Sequence, residues 1–334
     1  MMMQSLFSWN SFKVASGDYP DWVGRGRTPP THLDFAKYIN KCVEITGARV
    51  VIEEVVRLSK SGKKWKIRTK EKNWDPNLLE FDATVITGHG PQASRFQKIL
   101  NRRVFDGRDV WMRTDELLKI ASQDSSGAIV LIGAGGTSAA IAGWLVRKGV
   151  TNPIIIIGNQ ASLFARVDNW FENRVFTDKQ LWASLSDDAR RKFTERLTRG
   201  AVWANVLTYI SNAKNITYRA GQVESITEKD ESEVNVNYIT SRDGEKHPAP
   251  AIAAVDATGF DDMWFTKILP NSLSVSLNDR ALIQEKIDSS LAIHKPGFGP
   301  IHLPMLSQIQ SPAFVSLMAL GEMSTEILSP YFAD

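Results

Sequence analysis

The stretch VLIGAGGTSAAIAG, Val130 to Gly143, constrains this chain more than any other. Three apolar residues lead into a glycine turn and then into small helix-forming residues, the order strand, turn, helix. In the pattern G-x-G-x-x-S, Gly133 permits a tight turn, and Gly135 lets the backbone approach a pyrophosphate with no Cβ between them. Ser138 and Ala139 are small enough for close helix–strand packing. A helix starting there turns unpaired N–H groups and the positive end of its dipole toward phosphates. Gly133, Gly135, Gly136, Thr137 and Ser138 are therefore the candidate pyrophosphate-binding residues. A ligand-free structural turn would use the same glycines, so the surroundings decide between the two.

Those surroundings are a βαβ unit: a strand at 128–132, a helix at 137–147 and a second apolar strand at 153–157. An NAD site would place Asp or Glu at the end of that second strand. The chain has Gly158-Asn159-Gln160-Ala161-Ser162 instead, with Arg166 nearby. No carboxylate is available there to bind a ribose 2′-hydroxyl or to repel a 2′-phosphate. This favours NADPH and marks Asn159, Gln160 and Arg166 as cofactor-binding candidates, against the alternative of a plain polar loop. Two further strands end in Thr-Gly, VITG at Val85–Gly88 and DATGF at Asp256–Phe260. Placed on either side of a nucleotide motif, Thr87, Gly88, Thr258 and Gly259 suggest one nucleotide-binding domain inserted into another.

The remaining elements read more simply. Thr31 and Asp34 open a helix that Gly47 closes, with Cys42 at an apolar position of it. ARVVIEEVVRLS and KKWKIRTK form a hairpin. Helices are expected near 94–100 and 114–121, and helical structure from about 178 to 211; the tryptophans in or just before it, Trp170, Trp182 and Trp203, read as core. NITYRAGQVESITEK and EVNVNYIT form a second hairpin, and a late helix covers 314–328. The single cysteine of the 334 residues excludes an internal disulfide and any cysteine-based zinc cluster. A charge of +3, with scattered lysines and arginines, is too small to argue for nucleic acid or an anionic membrane, so neither is expected as a partner. No apolar run approaches the roughly 20 residues that cross a bilayer, and the start lacks a signal peptide, so a cytoplasmic protein is expected. The histidines, His32, His89, His247, His294 and His302, show no metal-ligand spacing, and no catalytic base is legible.

Taken together, VITGHGP, IGAGGTSAA, DNWFENRVFTD, DATGF and the late IHLPMLSQIQSPAFVSLMALG resemble the class B flavoprotein monooxygenases. The resemblance is to their N-hydroxylating group, which acts on amines such as ornithine and lysine. It implies an FAD domain interrupted by an NADPH domain, with the flavin carrying the oxygen chemistry. Two departures stand out. No strand with a G-x-G-x-x-G turn precedes residue 130, and the chain's start resembles a point inside the FAD domain, just before Trp22–Thr31. Where the family has G-P-G-F, the chain has Ser311-Pro312-Ala313-Phe314, whose lost glycines would crowd a flavin.

The expected fold is α/β, a Rossmann-like NADPH-binding domain at 112–255 inserted in a partial FAD-binding-like domain made of 1–111 and 256–334. The expected function is NADPH- and FAD-dependent N-hydroxylation of a small amine or amino acid, by this chain alone or as one chain or fragment of the enzyme. The alternative is a flavin-free relative serving as an NADPH-binding or partner subunit. A homo-oligomer or a partner chain would cover the surface that the incomplete domain exposes.

Overall fold

A computed structural model describes residues 6–28, 30–71, 80–93, 96, 102–166, 169–197, 201–315 and 319–332. The chain divides into two compact units, one made of 1–54 with 69–71 and the other of 55–68 with 72–334. In the first unit the helix His32–Thr46 is capped as its sequence dictates. Thr31 Oγ1 accepts from Asp34 N at 3.1 Å and donates to Asp34 Oδ2 at 2.8 Å, and Gly47 closes the helix at φ 63°. Tyr38 of this helix meets Trp9 and Phe12 edge-on, with ring centroids 5.4 and 5.6 Å away. Cys42 is half-buried on the same helix rather than fully enclosed.

The second unit begins with the hairpin strands Val55–Ser61 and Lys64–Thr69, turning at Gly62 (φ 62°), to which Glu80–Phe81 adds a third strand. The hairpin starts later than expected, because residues 49–54 form no strand. Trp65 is fully buried there and donates from Nε1 to Pro300 O at 3.2 Å. Beside it lies a small sheet in which Thr84–Val85 runs parallel to Ile301–His302, itself antiparallel to Ala292–Ile293. Ile86, Phe265, Leu277, Ile283 and Leu303 close one continuous apolar core around these strands.

The larger sheet has seven strands. In chain order they are β1 Val104–Asp106, β2 Ile129–Ile132, β3 Ile154–Gly158, β4 Ile216–Glu228, β5 Val234–Thr240, β6 Lys246–Ala251 and β7 Ala253–Asp256. Their spatial order is β6-β5-β4-β3-β2-β7-β1. From β4 to β1 every pairing is parallel, and β2, β3 and β7 are buried at every residue. Strands covered on both faces read as unbroken apolar runs, which is why Ile129–Ile132 and Ile154–Ile157 show no alternation. One face packs Leu131, Ile156 and Val255 against Ile141 and Leu145 of the helix Gly136–Arg147.

The other face is covered by the sheet itself. β4 pairs antiparallel with β5 from Gly221 to Glu228, with a register shift between Val223 and Ser225. The meander β4-β5-β6 then curls over the parallel strands, so Val234, Val236 and Ala249 pack on Val130, Ile155 and Ala254. This lets the chain pass from β6 at the edge into β7 in the middle through Ile252 alone. Sequence reading did not find β6, whose KHPAPA carries two prolines. Its place at the edge tolerates them, since Pro248 and Pro250 lack only N–H groups that no further strand needs.

The expected helix at 94–100 lies outside the described residues, apart from Phe96. The one at 114–121 is Thr114–Gln123. The helical stretch after residue 170 is four helices: Trp170–Thr177, Lys179–Ser184, Asp187–Leu197 and Ala204–Ser211. A short strand, Ala201–Trp203, interrupts them by pairing with Phe164–Arg166. Trp182 is core, but Trp170 and Trp203 are 64% and 54% exposed, contrary to expectation. The late helix is shorter than expected, a 3-10 turn at Pro312–Val315 followed by Leu320–Leu328, with residues 316–318 outside the described set.

Candidate nucleotide-binding site

Chain order reverses between β2 and β7: from β2 the chain moves one way to β3, while β7 lies on its other side. A crevice opens at the carboxyl ends of the strands at such a switch point, and the glycine turn sits there. Gly133 adopts φ 113°, and a Cβ on it would stand 2.6 Å from Ala257 O. The turn is pinned on both sides, by Gly133 N to Ile157 O at 2.7 Å and by Ala257 N to Ile132 O at 2.8 Å. Gly135 precedes the helix in extended conformation and, having no side chain, caps nothing. Ala139 N is bonded to Gly135 O at 3.2 Å, which leaves the N–H groups of the first helical turn to an outside acceptor. A Cβ on Gly136 would meet nothing within 4 Å, so that surface is open.

The end of β3 abuts this turn. A Cβ on Gly158 would stand 2.5 Å from Ala134 Cβ and 2.8 Å from the Tyr218 hydroxyl. That hydroxyl donates to Gln160 O at 2.7 Å, and burial pushes the Tyr218 phenol up from its ordinary pKa. Two polar atoms at the site are buried without a partner, Ser138 Oγ in the helix's first turn and Gln160 Oε1 beyond β3. Buried polar groups are nearly always satisfied, so unpaired ones at one site mark a place for a ligand. The glycine cradle, the free helix end and these two atoms fit a dinucleotide.

The Thr-Gly elements come together on the other side. Gln92 and Phe260 form an antiparallel bridge, Ala93 N donates to Gly259 O at 3.0 Å and Asp261 N to Pro91 O at 2.9 Å. Gln92 Nε2 donates to Asp256 O at 2.9 Å. Asp256 in turn holds Thr258 through its N (3.0 Å) and Oγ1 (2.6 Å), shaping the turn out of β7. Gly88 (φ 82°) and Gly259 (φ 113°) have open space where a Cβ would be, and His89 stacks on Phe260 with centroids 5.9 Å apart. Gly107 also belongs here: a Cβ on it would come within 3.0 Å of Thr137 Cγ2 and 3.2 Å of Gln92 Oε1.

The structure brings together Gly133 to Ser138, Asn159, Gln160, Thr258 and Gly259, and puts Thr87 and Gly88 on the adjoining crossing. Arg166 is engaged elsewhere: its guanidinium lies 5.0 Å from the Phe176 ring centroid and 5.7 Å from that of Trp203. Sequence reading missed Gln92, Gly107, Ala257 and Tyr218. None of them forms a pattern along the chain, and each acts through a residue far away in sequence. On the flavin side the residues do not fit a cofactor cradle by themselves. The junction is open at Gly88 and Gly259, but no glycine-rich turn joins a strand to a helix there among the described residues. Ala313 and Phe314, which replace the family's glycine motif, are buried in the apolar core.

Two other features lie apart. A cavity of about 220 Å³ is lined by Phe176, Trp182, Phe314, Lys179, Glu322 and Glu326. The Lys179 ammonium bonds Glu326 at 2.6 Å and Glu322 at 3.0 Å, and both carboxylates hold its pKa above the ordinary value. Asp243 and Glu245 on an exposed turn and the half-buried His247 of β6 bring ligand atoms within 4.8 Å of one another, a grouping that histidine spacing alone did not suggest. No helix among the described residues is long and apolar enough to cross a membrane.

A sheet with a parallel centre, a glycine turn at its switch point and two paired crossings defines an α/β fold of the nucleotide-binding kind. No protein-family model matches the chain. Among known proteins, the L-lysine N6-monooxygenase MbtG of Mycobacterium sp. (strain MCS) is 32% identical over 334 residues, covering 96% of this chain and 74% of that protein. Its counterpart in Mycobacterium tuberculosis is 30% identical over 338 residues, with the same coverage. The structure of lysine monooxygenase NbtG from Nocardia farcinica superposes with a TM-score of 0.73 at 26% identity, covering 96% of this chain and 78% of that one. The ornithine N-hydroxylase KtzI of Kutzneria sp. 744 shares the fold at a TM-score of 0.75 and 17% identity, over 98% of this chain and 83% of that one. The chain belongs to the L-lysine N6-monooxygenase family of flavin-dependent N-hydroxylases.

Proposed function

We propose that this chain is an NADPH- and FAD-dependent monooxygenase that hydroxylates the side-chain amine of a small amino acid, with L-lysine the first candidate. The observation carrying this reading is the likeness to named lysine monooxygenases along 96% of the chain. It favours an enzyme over a flavin-free partner subunit. In the overall reaction, NADPH, a proton, dioxygen and an amine give NADP⁺, water and a hydroxylamine, one oxygen atom entering each of the last two.

When bound, NADPH supplies the hydride and the flavin activates oxygen. The chain's own part is to bind and orient. The backbone N–H groups at Gly135 to Ser138 hold the pyrophosphate, while Asn159 and Gln160 face the adenosine end. Thr87, Gly88, Thr258 and Gly259 line the junction toward the flavin. These residues do not by themselves form the flavin's cradle.

The domain division is proposed likewise: a nicotinamide-nucleotide domain at 112–255 between two segments of the flavin domain, 1–111 and 256–334. Thr84–Val85 is an edge strand of its small sheet among the described residues, which supports a second copy or a partner chain pairing there. A reducing cytoplasm suits the lone Cys42.

Purified protein with FAD, NADPH and oxygen should convert L-lysine or L-ornithine to a hydroxylamine, detected by iodine oxidation and mass spectrometry. NADPH oxidation that yields no N-hydroxylated product from any amine tested would reject the reading.

A further inference from the structure

We infer that His302 and Tyr331 form a clasp that opens on proton uptake, releasing the turn Ser329–Tyr331 while the parallel sheet stays folded. His302 ends the strand Ile301–His302 and is fully buried. Its Nδ1 lies 2.8 Å from Ser290 O and its Nε2 2.8 Å from the Tyr331 hydroxyl, whose ring sits edge-on at 5.8 Å. A carbonyl only accepts, so Nδ1 donates to Ser290 and Nε2 accepts from Tyr331. That second bond needs a neutral imidazole. Tyr331 is 38% exposed and forms the outer layer of the pair.

The charged groups around the pair do not make room for a second proton. Asp288 attracts one to His302 and His294 repels it, while burial opposes the charge most. The Asp288 carboxylate is already committed. Its Oδ1 accepts from Ser290 N at 2.9 Å, Ser290 Oγ at 2.8 Å and Ala292 N at 3.0 Å, and its Oδ2 lies 2.8 Å from His294 Nε2. Burial, then Asp82 and Asp288, push the Tyr331 phenol up from its ordinary pKa, so Tyr331 keeps its proton and stays the donor. A proton on Nε2 would face the hydroxyl hydrogen and put an uncompensated cation in the core.

The loop that presents Ser290 O is itself strained. Leu291 is fully buried at φ 61°, a conformation that leucine rarely adopts, and is held by Leu291 N to Asp288 O at 3.0 Å and Leu303 N to Leu291 O at 2.8 Å. Such strain persists only where the surroundings impose it, and it gathers at switch regions. Once the turn lifts, His302 meets water and titrates near the ordinary value of about 6.5. The open form therefore takes the proton first as pH falls, so the clasp is closed above that value and loosens below it. His302 pairs with Val85, and Ile86 N donates to His302 O at 2.9 Å, so the clasp lies on the strand that runs into the Thr87-Gly88 crossing.

Hydroxyl-radical footprinting read by mass spectrometry tests this, with the buried Phe105 of β1 as the internal reference. Tyr331 should be oxidised at least about threefold faster at about pH 5 than at about pH 7.5, with Phe105 unchanged. In H302Q the carboxamide can donate to Ser290 O and accept from Tyr331 without titrating, so the two rates should agree within about 1.5-fold. Nitrogen-15 NMR of histidine-labelled parent protein gives a second reading that needs no variant. His302 should carry its proton on Nδ1 at neutral pH and become charged over the range in which Tyr331 oxidation rises. Equal Tyr331 oxidation at both pH values, Phe105 opening together with Tyr331, an H302Q protein that follows the parent, or a His302 neutral throughout would each overturn the inference.

Discussion

Gly133 and Ala257 touch backbone to backbone where β2 and β7 end: a Cβ on Gly133 would stand 2.6 Å from Ala257 O, and the glycine's φ is 113°. Both facts forbid a side chain. The Gly133→Ala variant should lose about 1–3 kcal/mol of stability from backbone strain, with more from the overlap. It should also lose measurable nicotinamide-nucleotide binding. Urea unfolding and a fluorescence titration read the two effects. Unchanged unfolding would show that the turn relaxes around a methyl group and is not packed as described.

Gln92 clips the two crossings together through Asp256 O. Gln92→Ala should cost about 1 kcal/mol, the usual net worth of such a bond. Its clearer signature is local. The amides of Ala93 and Asp261, which bond across the crossings to Gly259 O and Pro91 O, should exchange with deuterium faster. If both stay as protected as in the parent protein, the side chain does not hold the bridge.

His302 sets a pH dependence. It is fully buried, with Nδ1 2.8 Å from Ser290 O and Nε2 2.8 Å from the Tyr331 hydroxyl. A carbonyl can only accept, so Nδ1 carries the proton and Nε2 accepts from Tyr331. Burial lowers the imidazole's pKa below the ordinary 6.5, which the Ser290 bond and Asp288 only partly offset. The unfolded chain therefore binds a proton first as pH falls. The stability contributed by neutral His302 is complete above pH 6.5 and is lost below it, down to the native value. Melting temperatures from pH 7 to 5 should fall less steeply for His302→Gln than for the parent. Parallel curves would refute the assignment.

Lys179 bridges Glu322 and Glu326, yet its side chain is 58% exposed. Exposed ion pairs are worth little, so Lys179→Met should cost less than about 1 kcal/mol. A loss of several kcal/mol in urea unfolding at ordinary salt would mean that the cluster is shielded from water.

Legibility followed how local the physics is. The capped helix was readable because Thr31, Asp34 and Gly47 act on their own neighbours in sequence, and the glycine turn because its glycines stand in a fixed local spacing between strand and helix. The buried strands showed as apolar runs. Strand β1 was not readable, since Val104–Asp106 is too short to display a period, and β6 was hidden by prolines that only an edge position tolerates. Trp170 and Trp203 were misjudged because their composition says core, whereas their exposure depends on where the later strand Ala201–Trp203 docks. At the site, the glycines were legible and the engagement of Arg166 was not. Its partners Phe176 and Trp203 approach it only after folding.

The bridge between Gln92 and Phe260 has a practical consequence for protein engineering. Everything from Ala93 to Gly259 enters and leaves through a single doorway, its first amide bonded to its last carbonyl at 3.0 Å. A span whose two ends meet closes with little loop-closure entropy, so a relative's counterpart could be joined there, provided that the span's other anchors, Trp182 Nε1 to Ile309 O and Lys179 to Glu326, are kept.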